Sequence, residues 1–193
     1  MPIPVRKGDE RFTYADYMKW PETERWELLE GVPVNMTPAP SRYHQEILLN
    51  LATEINRILK EKGQACKVYA APFDVRLPET EEADEEITTV VQPDISVICD
   101  VNKLDEWGCR GAPDLVVEIV SPATVKKDMI DKLTLYEKHG VLEYWIIHPG
   151  ERSVMVYKLD KEKRYGRADV LSENDKINLH LKDTFEIALK DIF

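Results

Sequence analysis

This chain lacks several things that would narrow its class quickly. It has three cysteines, Cys66, Cys99 and Cys109, and no CxxC pair. An odd count without paired spacing argues against a disulfide framework or a zinc site and predicts reduced thiols, with Cys66 and Cys99 in strands. No apolar run approaches the roughly 18–20 residues of a membrane span. The opening MPIPVRKGDE holds no apolar stretch of signal-peptide type. Positive charge is scarce: 26 Lys and Arg stand against 36 Asp and Glu, for a net charge of −10. That balance argues against a non-specific nucleic-acid coat, whose affinity rests on many Lys/Arg–phosphate contacts. A local basic groove is still open to it, with Lys126 and Lys127 as candidates and Lys132 and Lys138 further along. There is no internal repeat and no domain-sized linker. The expectation is one soluble, cytoplasmic domain over residues 1–193.

The 43% apolar content says globular. Thr13 with Asp16 resembles a capping box, and Pro21 closes a short helix. RWELLEGVPVNM (25–36) reads as a hairpin turning near Glu30 and Gly31. PAPS (38–41) is a linker with Ser41 as N-cap. Over 43–62, Ile47, Leu48, Leu51, Ile55, Ile58 and Leu59 recur at helical spacing, with His44 near that face and Gly63 as the stop. KVYAAPFDVRLP (67–78) alternates as one strand carrying Asp74 on its other face. The acidic run 79–87 is a solvated loop. Residues 90–100 form a strand, 101–111 a loop, and 114–121 a third strand. A second long helix spans 124–139, with Met129, Ile130, Leu133 and Tyr136 as its apolar face. Residues 143–149 and 153–159 pair as strands, one or two more strands follow, and a short turn or helix closes the chain. The order predicts a mixed sheet flanked by helices.

Two phrases stand out, VVQPDISVICD (90–100) and GAPDLVVEIVSPAT (111–124). Each runs from Pro-Asp into apolar residues, and the second carries Glu118 mid-run. A buried carboxylate is costly unless it is paired or holds a metal. If the two strands are neighbours, about 4.8 Å apart, Asp94 and Glu118 converge on one hard cation such as Mg²⁺ or Mn²⁺. On the next helix Asp128, Lys132 and Tyr136 stack at i, i+4, i+8. Lys132, at the border of the apolar face, can reach back over the sheet and orient a nucleophile or stabilise a developing phosphorane.

The "PD … (D/E)xK" pattern inside a helix–three-strand–helix–strand order resembles the restriction-endonuclease-like PD-(D/E)xK superfamily. Within it the chain is similar to the Uma-type family, a domain of unknown function. WELLEG (26–31), HQEI (44–47), QPDISVI (92–98), APDLVVEIVSPAT (112–124), KDMIDKLTLYEKHGVLEYWIIHP (127–149) and DIF (191–193) carry the likeness. The resemblance implies an α/β restriction-endonuclease-like core with extra N- and C-terminal hairpins. It implies a Mg²⁺- or Mn²⁺-dependent endonuclease acting on DNA. Asp94 becomes the "PD" aspartate and Glu118 the acid of the next strand, both holding metal. Glu27 matches an acid often supplied by an early element. The strand lysine is absent, since Val120 stands in its place, and Lys132 is its migrated replacement.

Plainer readings stand beside these. Asp94 and Asp114 can be strand-start turn residues, the case being stronger for Asp114. Glu118 can be a buried acid paired with a lysine or arginine, and Lys132 with Asp128 can be an ordinary helical ion pair. Glu27, His44 and Asp74 can be satisfied structural groups. Tyr144 and Trp145 read as core or interface aromatics, and His148 as a strand end. The alternative function is a catalytically inactive module on the nuclease fold that binds nucleic acid or a protein. A weaker third is hydrolysis of another phosphate ester. Pairing edges in the tail strands and the EYWIIHP hairpin make a homodimer plausible.

Overall fold

The computed structural model describes residues 11–21, 23–36, 40–122 and 126–193. The opening MPIPVRKGDE, Pro38 and Ala39 of the linker, and the segment 123–125 at the expected helix start lie outside them.

Local rules explain the first elements. The Asp16 carboxylate accepts from the Thr13 amide at 3.1 Å and caps α1 (Tyr14–Tyr17). Strands β1 (Trp26–Leu29) and β2 (Val32–Asn35) pair antiparallel across Glu30 and Gly31, both at positive φ (48° and 80°). This is a two-residue hairpin turn of the primed kind. Helix α2 (Arg42–Glu61) starts where Ser41 Oγ accepts from the His44 amide at 3.2 Å. Its Ile47, Leu51, Ile55, Ile58 and Leu59 are buried. Each contributes about 1.5–3 kcal/mol relative to exposure.

The segment 67–78 is not one strand. It divides into β3 (Lys67–Ala70) and β4 (Val75–Arg76), separated by the Ala71–Pro72 turn. Residues 90–100 likewise divide into β5 (Val90–Val91) and β6 (Ile95–Ile98). The expected loop 101–111 contains a small hairpin, β7 (Leu104–Asp105) and β8 (Gly108–Arg110). β9 (Leu115–Ile119) follows, then a helix whose first turn is of the π type (Lys127–Lys132) and continues as α3 (Leu133–His139). Gly140, at φ 82°, closes it in the left-handed region. The remaining strands are β10 (Glu143–His148), β11 (Ser153–Lys158), β12 (Asp169–Ser172), β13 (Lys176–His180) and β14 (Thr184–Ala188).

These strands form two six-stranded sheets and a hairpin. The core sheet runs β12-β11-β10-β9-β6-β3. Here β3, β6 and β9 are antiparallel neighbours, and β10 joins β9 in parallel after the helical crossover. The expected order of helix, three strands, helix and strand is therefore present in an α/β fold. One face of this sheet packs on α2 and the β13–β14 hairpin. The other carries Val116, Tyr144 and Ile146 against Leu135 and Tyr136 of α3. The second sheet, β2-β1-β5-β4-β8-β7, takes the halves of the two split strands.

Three further expectations change. Cys66 and Cys99 are joined in a disulfide rather than reduced, and they flank β3 and β6 rather than lying in them. The pairing of Lys67 with Ile98 brings the two cysteines opposite each other, which linear spacing does not reveal. Ile130 is 54% exposed, because the π turn rotates it off the apolar face. Finally, β10 lies between β9 and β11 and offers no pairing edge, whereas β12 does.

Candidate active site

The split strands explain how the site is assembled. Because β5 belongs to one sheet and β6 to the other, residues 92–94 cross between them. Gln92 meets β1, its amide donating to Glu27 Oε1 at 3.1 Å. Asp94 arrives at the head of β6, and the ladder that pairs Ile95 with Val117 continues to set Asp94 opposite Glu118. A cleft of about 440 Å³ opens over this crossing, lined by Asp94, Glu118, Lys127, Lys132, His44 and Arg25 among others.

Asp94 Oδ2 accepts from the Ile119 amide at 2.7 Å and lies 3.2 Å from His44 Nε2. Its Oδ1 takes no hydrogen bond from the described residues. Glu118 Oε1 accepts from Lys132 Nζ at 2.6 Å and from the Tyr136 hydroxyl at 3.1 Å, while Oε2 has no such donor. Each carboxyl thus keeps one oxygen uncommitted beside the same cleft. Among the described residues no three His, Cys, Asp or Glu side chains form a ready-made metal cage. Two hard oxygens plus water nevertheless fit the needs of Mg²⁺, which retains several waters when bound.

Lys132 is 1% exposed and holds the centre of the cluster. Its Nζ also lies 2.6 Å from Glu27 Oε1 and 3.9 Å from Asp128. Burial alone disfavours the ammonium, but Glu118, Glu27 and Asp128 outweigh it and keep the group charged well above neutrality. Glu27 is wholly buried, and its Oε2 accepts from Lys127 Nζ at 2.9 Å. Burial opposes its ionisation, yet Lys132 and Lys127 bring it down to about 2. Glu118 goes the other way. Burial pushes it up to about 8 against the pull of Lys132, with Asp128, Asp94 and Glu27 adding to the rise. The cluster holds more carboxylates than ammoniums, and that excess adds to burial in raising Glu118.

Asp94, Glu118, Lys132 and Glu27 are therefore brought together, and His44 joins them through Asp94. Glu27 differs from its expected part, since its two oxygens face two ammoniums rather than the cleft. Asp74 stands one step away, linked through Gln92. Asp114 takes the plainer reading, with Oδ2 accepting from the Cys99 amide at 2.7 Å. Tyr144 is buried and donates to the Asp128 carbonyl at 3.0 Å. Trp145 is buried on the other face. Lys127 was expected only as part of a basic cluster, and its contact with Glu27 needs the π turn. Arg25 and Gln92 were not singled out. Arg25 holds Gln92 Oε1 through Nε and Nη2, at 3.0 and 2.8 Å.

The Uma2 family model, described as "Putative restriction endonuclease", matches residues 14–190. Among solved structures the chain is similar to one titled as a putative nuclease belonging to DUF820 from Anabaena variabilis ATCC 29413. The two share 22% identity and a TM-score of 0.71, over 94% of this chain and 97% of that one. At that identity the likeness speaks to the fold. No curated protein matches.

Proposed function

The chain belongs to the Uma2 family of restriction-endonuclease type, and from that premise we propose that it is a divalent-cation-dependent endonuclease hydrolysing DNA phosphodiesters. One observation carries the reading. Asp94 and Glu118 each keep an oxygen with no donor among the described residues, beside a cleft that Lys132 also lines from its contact with Glu118.

Asp94 and Glu118 would hold Mg²⁺ or Mn²⁺. Such an ion supplies positive charge to the phosphate and acidifies a bound water. The chain's own groups do the rest. Lys132 keeps its ammonium charged in a dry setting, where it stabilises negative charge developing on the phosphoryl oxygens. Glu27 is a positioning residue that fixes Lys132 and Lys127. Lys127 and Arg25, at the cleft wall, bind the phosphates on either side of the reacting one. His44 steadies Asp94 through Oδ2 and leaves Oδ1 for the cation. Attack by water forms a P–O bond and breaks the bond to the leaving oxygen; the water gives up one proton to solvent and the leaving oxygen takes one up.

We read the chain as one domain, residues 1–193, acting in the cytoplasm, a reducing compartment in which the Cys66–Cys99 bond is one that opens readily. A homodimer through the β12 edge is part of the same proposal. Val170 on that strand is 66% exposed, and an open edge invites pairing. Sedimentation equilibrium tests it.

The test of the function is Mn²⁺ titration by calorimetry on the wild type and Glu118→Ala, with cleavage of circular and linear DNA measured in parallel. Binding and cleavage that both disappear in the variant support the assignment. Undiminished metal-dependent cleavage in Glu118→Ala and Asp94→Ala overturns it. No binding in either protein favours a decayed site, and the catalytically inactive module becomes the better reading.

A further inference from the structure

A second cavity, of about 360 Å³, lies beside the cleft and shares Gln92 with it. Its walls are aromatic. Tyr69 and Phe73 stack with centroids 4.2 Å apart and planes 5° from parallel. Trp107, at the tip of the β7–β8 hairpin, is 58% exposed. Large aromatic surface left open to water needs a reason when it lines a cavity.

The polar floor is built in. Asp74 Oδ1 accepts from the Tyr17 hydroxyl at 3.0 Å and from Gln92 Nε2 at 2.8 Å. Its Oδ2 has no donor among the described residues. Gln92 is fully used, since Oε1 takes the two Arg25 contacts and Nε2 serves both Tyr17 and Asp74. It is therefore a strut joining the Arg25 guanidinium of the cleft to the carboxyl of the second cavity. The backbone just after Trp107 is also fixed against Asp74. The next residue, Gly108, sits at φ 139°, and a Cβ there would fall 2.1 Å from the Asp74 carbonyl oxygen. Cys109 donates its amide to that oxygen at 2.9 Å.

We propose that this cavity is a subsite for an unpaired nucleobase bearing an exocyclic amine, stacked on Trp107 and read by Asp74 Oδ2, next to a phosphate held in the cleft. This inference rests on the nuclease reading for its neighbour. Charge favours the base over the phosphate, because Asp74, Asp105 and Glu106 line the cavity. Aromatic faces accept any base by stacking, and a carboxyl oxygen accepts from the exocyclic amine of adenine, cytosine or guanine. The continuity with the cleft through Gln92 is the reason to choose a nucleotide over another apolar guest.

The experiment is fluorescence anisotropy with labelled single-stranded oligo-dA, oligo-dC, oligo-dT and an abasic chain of equal length, in EDTA so that nothing is cleaved. Wild type, Trp107→Ala and Asp74→Asn are compared. The expected result is tighter binding of dA and dC than of dT, with the abasic chain weakest. Trp107→Ala should weaken dA about 5- to 150-fold, the range for losing one base stack, and leave the abasic chain unchanged. Asp74→Asn should narrow the gap between dA and dT. Equal binding of abasic and dA chains, or no effect of Trp107→Ala, overturns the subsite whatever the cleavage assays show. Trp107-dependent base binding in a protein that cleaves nothing would keep the subsite and remove the nuclease reading. Binding of N-acetylarginine amide that both variants abolish, with no base preference, would reassign the cavity to a cationic side chain of a protein.

Discussion

Lys132 sets its Nζ 2.6 Å from Glu118 Oε1, from a helix that starts after the strand bearing that glutamate. No lysine stands at Val120 on that strand, and the ammonium beside Glu118 comes from the following helix instead. Its path is fixed by the π turn, by Glu27 on its far side and by Asp128 near its base.

Lys132→Gln should reduce cleavage about 10²–10³-fold, the usual loss for one preorganised charge at a developing anion. It should also cost about 3–5 kcal/mol of stability, because Glu27 and Glu118 lose their shared buried partner. Steady-state kinetics and urea denaturation measure the two effects separately. A variant that loses stability but keeps its kcat when assayed well below its unfolding midpoint would mark Lys132 as structural.

Glu27 offers a finer test, since it acts through the lysines. Glu27→Gln removes one of the negative charges that raise Glu118 and leaves Lys132 more fully available to it. The Glu118 carboxyl, pushed up to about 8 in the wild type, should then titrate lower. Carbon-13 NMR of labelled glutamate side chains in the metal-free protein reads this directly. An unchanged or higher value would show that Lys132 does not divide itself between the two acids.

The parts of this site legible in the sequence are those that follow regular periods. Asp94 and Glu118 could be paired because strand alternation and neighbouring strands sufficed. Lys132 followed from helical spacing and the family pattern. Lys127 did not, because residues five apart diverge on an α-helix and share a side only where the turn closes at i+5. The second sheet was hidden for another reason. Short two-residue strands such as Val75–Arg76 and Val90–Val91 sit inside longer alternating runs, and nothing local marks where a run changes sheets. The link between Arg25 and Gln92 depends on that change and was equally out of reach.

His139 sets a pH dependence away from the cleft. Its side chain is 5% exposed, and burial, opposed by Glu79, pulls its pKa below the ordinary 6.5. The unfolded chain therefore binds the proton more readily than the fold does. The stability from a neutral His139 is complete above pH 6.5 and is lost as pH falls through the lower folded value. The difference in urea midpoint between wild type and His139→Gln should hence be constant above pH 6.5. It should shift in the variant's favour as the solution is acidified. A difference curve that stays flat down to pH 5.5 would place the charge change elsewhere.

The Cys66–Cys99 bond closes 33 residues of sequence, from the end of the α2 region to the far end of β6. A loop of that size lowers the entropy of the unfolded chain by an amount worth about 3–4 kcal/mol. Dithiothreitol should therefore lower the melting temperature of the wild type, and Cys66→Ala/Cys99→Ala should melt low with or without it. Alkylation under denaturing, non-reducing conditions should label only Cys109, the free cysteine. The bond joins β3 to β6 at the end of β6 away from Asp94, so DNA cleavage below the melting transition should survive reduction. A loss of cleavage on reduction, with the fold still intact by circular dichroism, would mean that the β3–β6 pairing sets the position of Asp94 more closely than its own contacts with Ile119 and His44 imply.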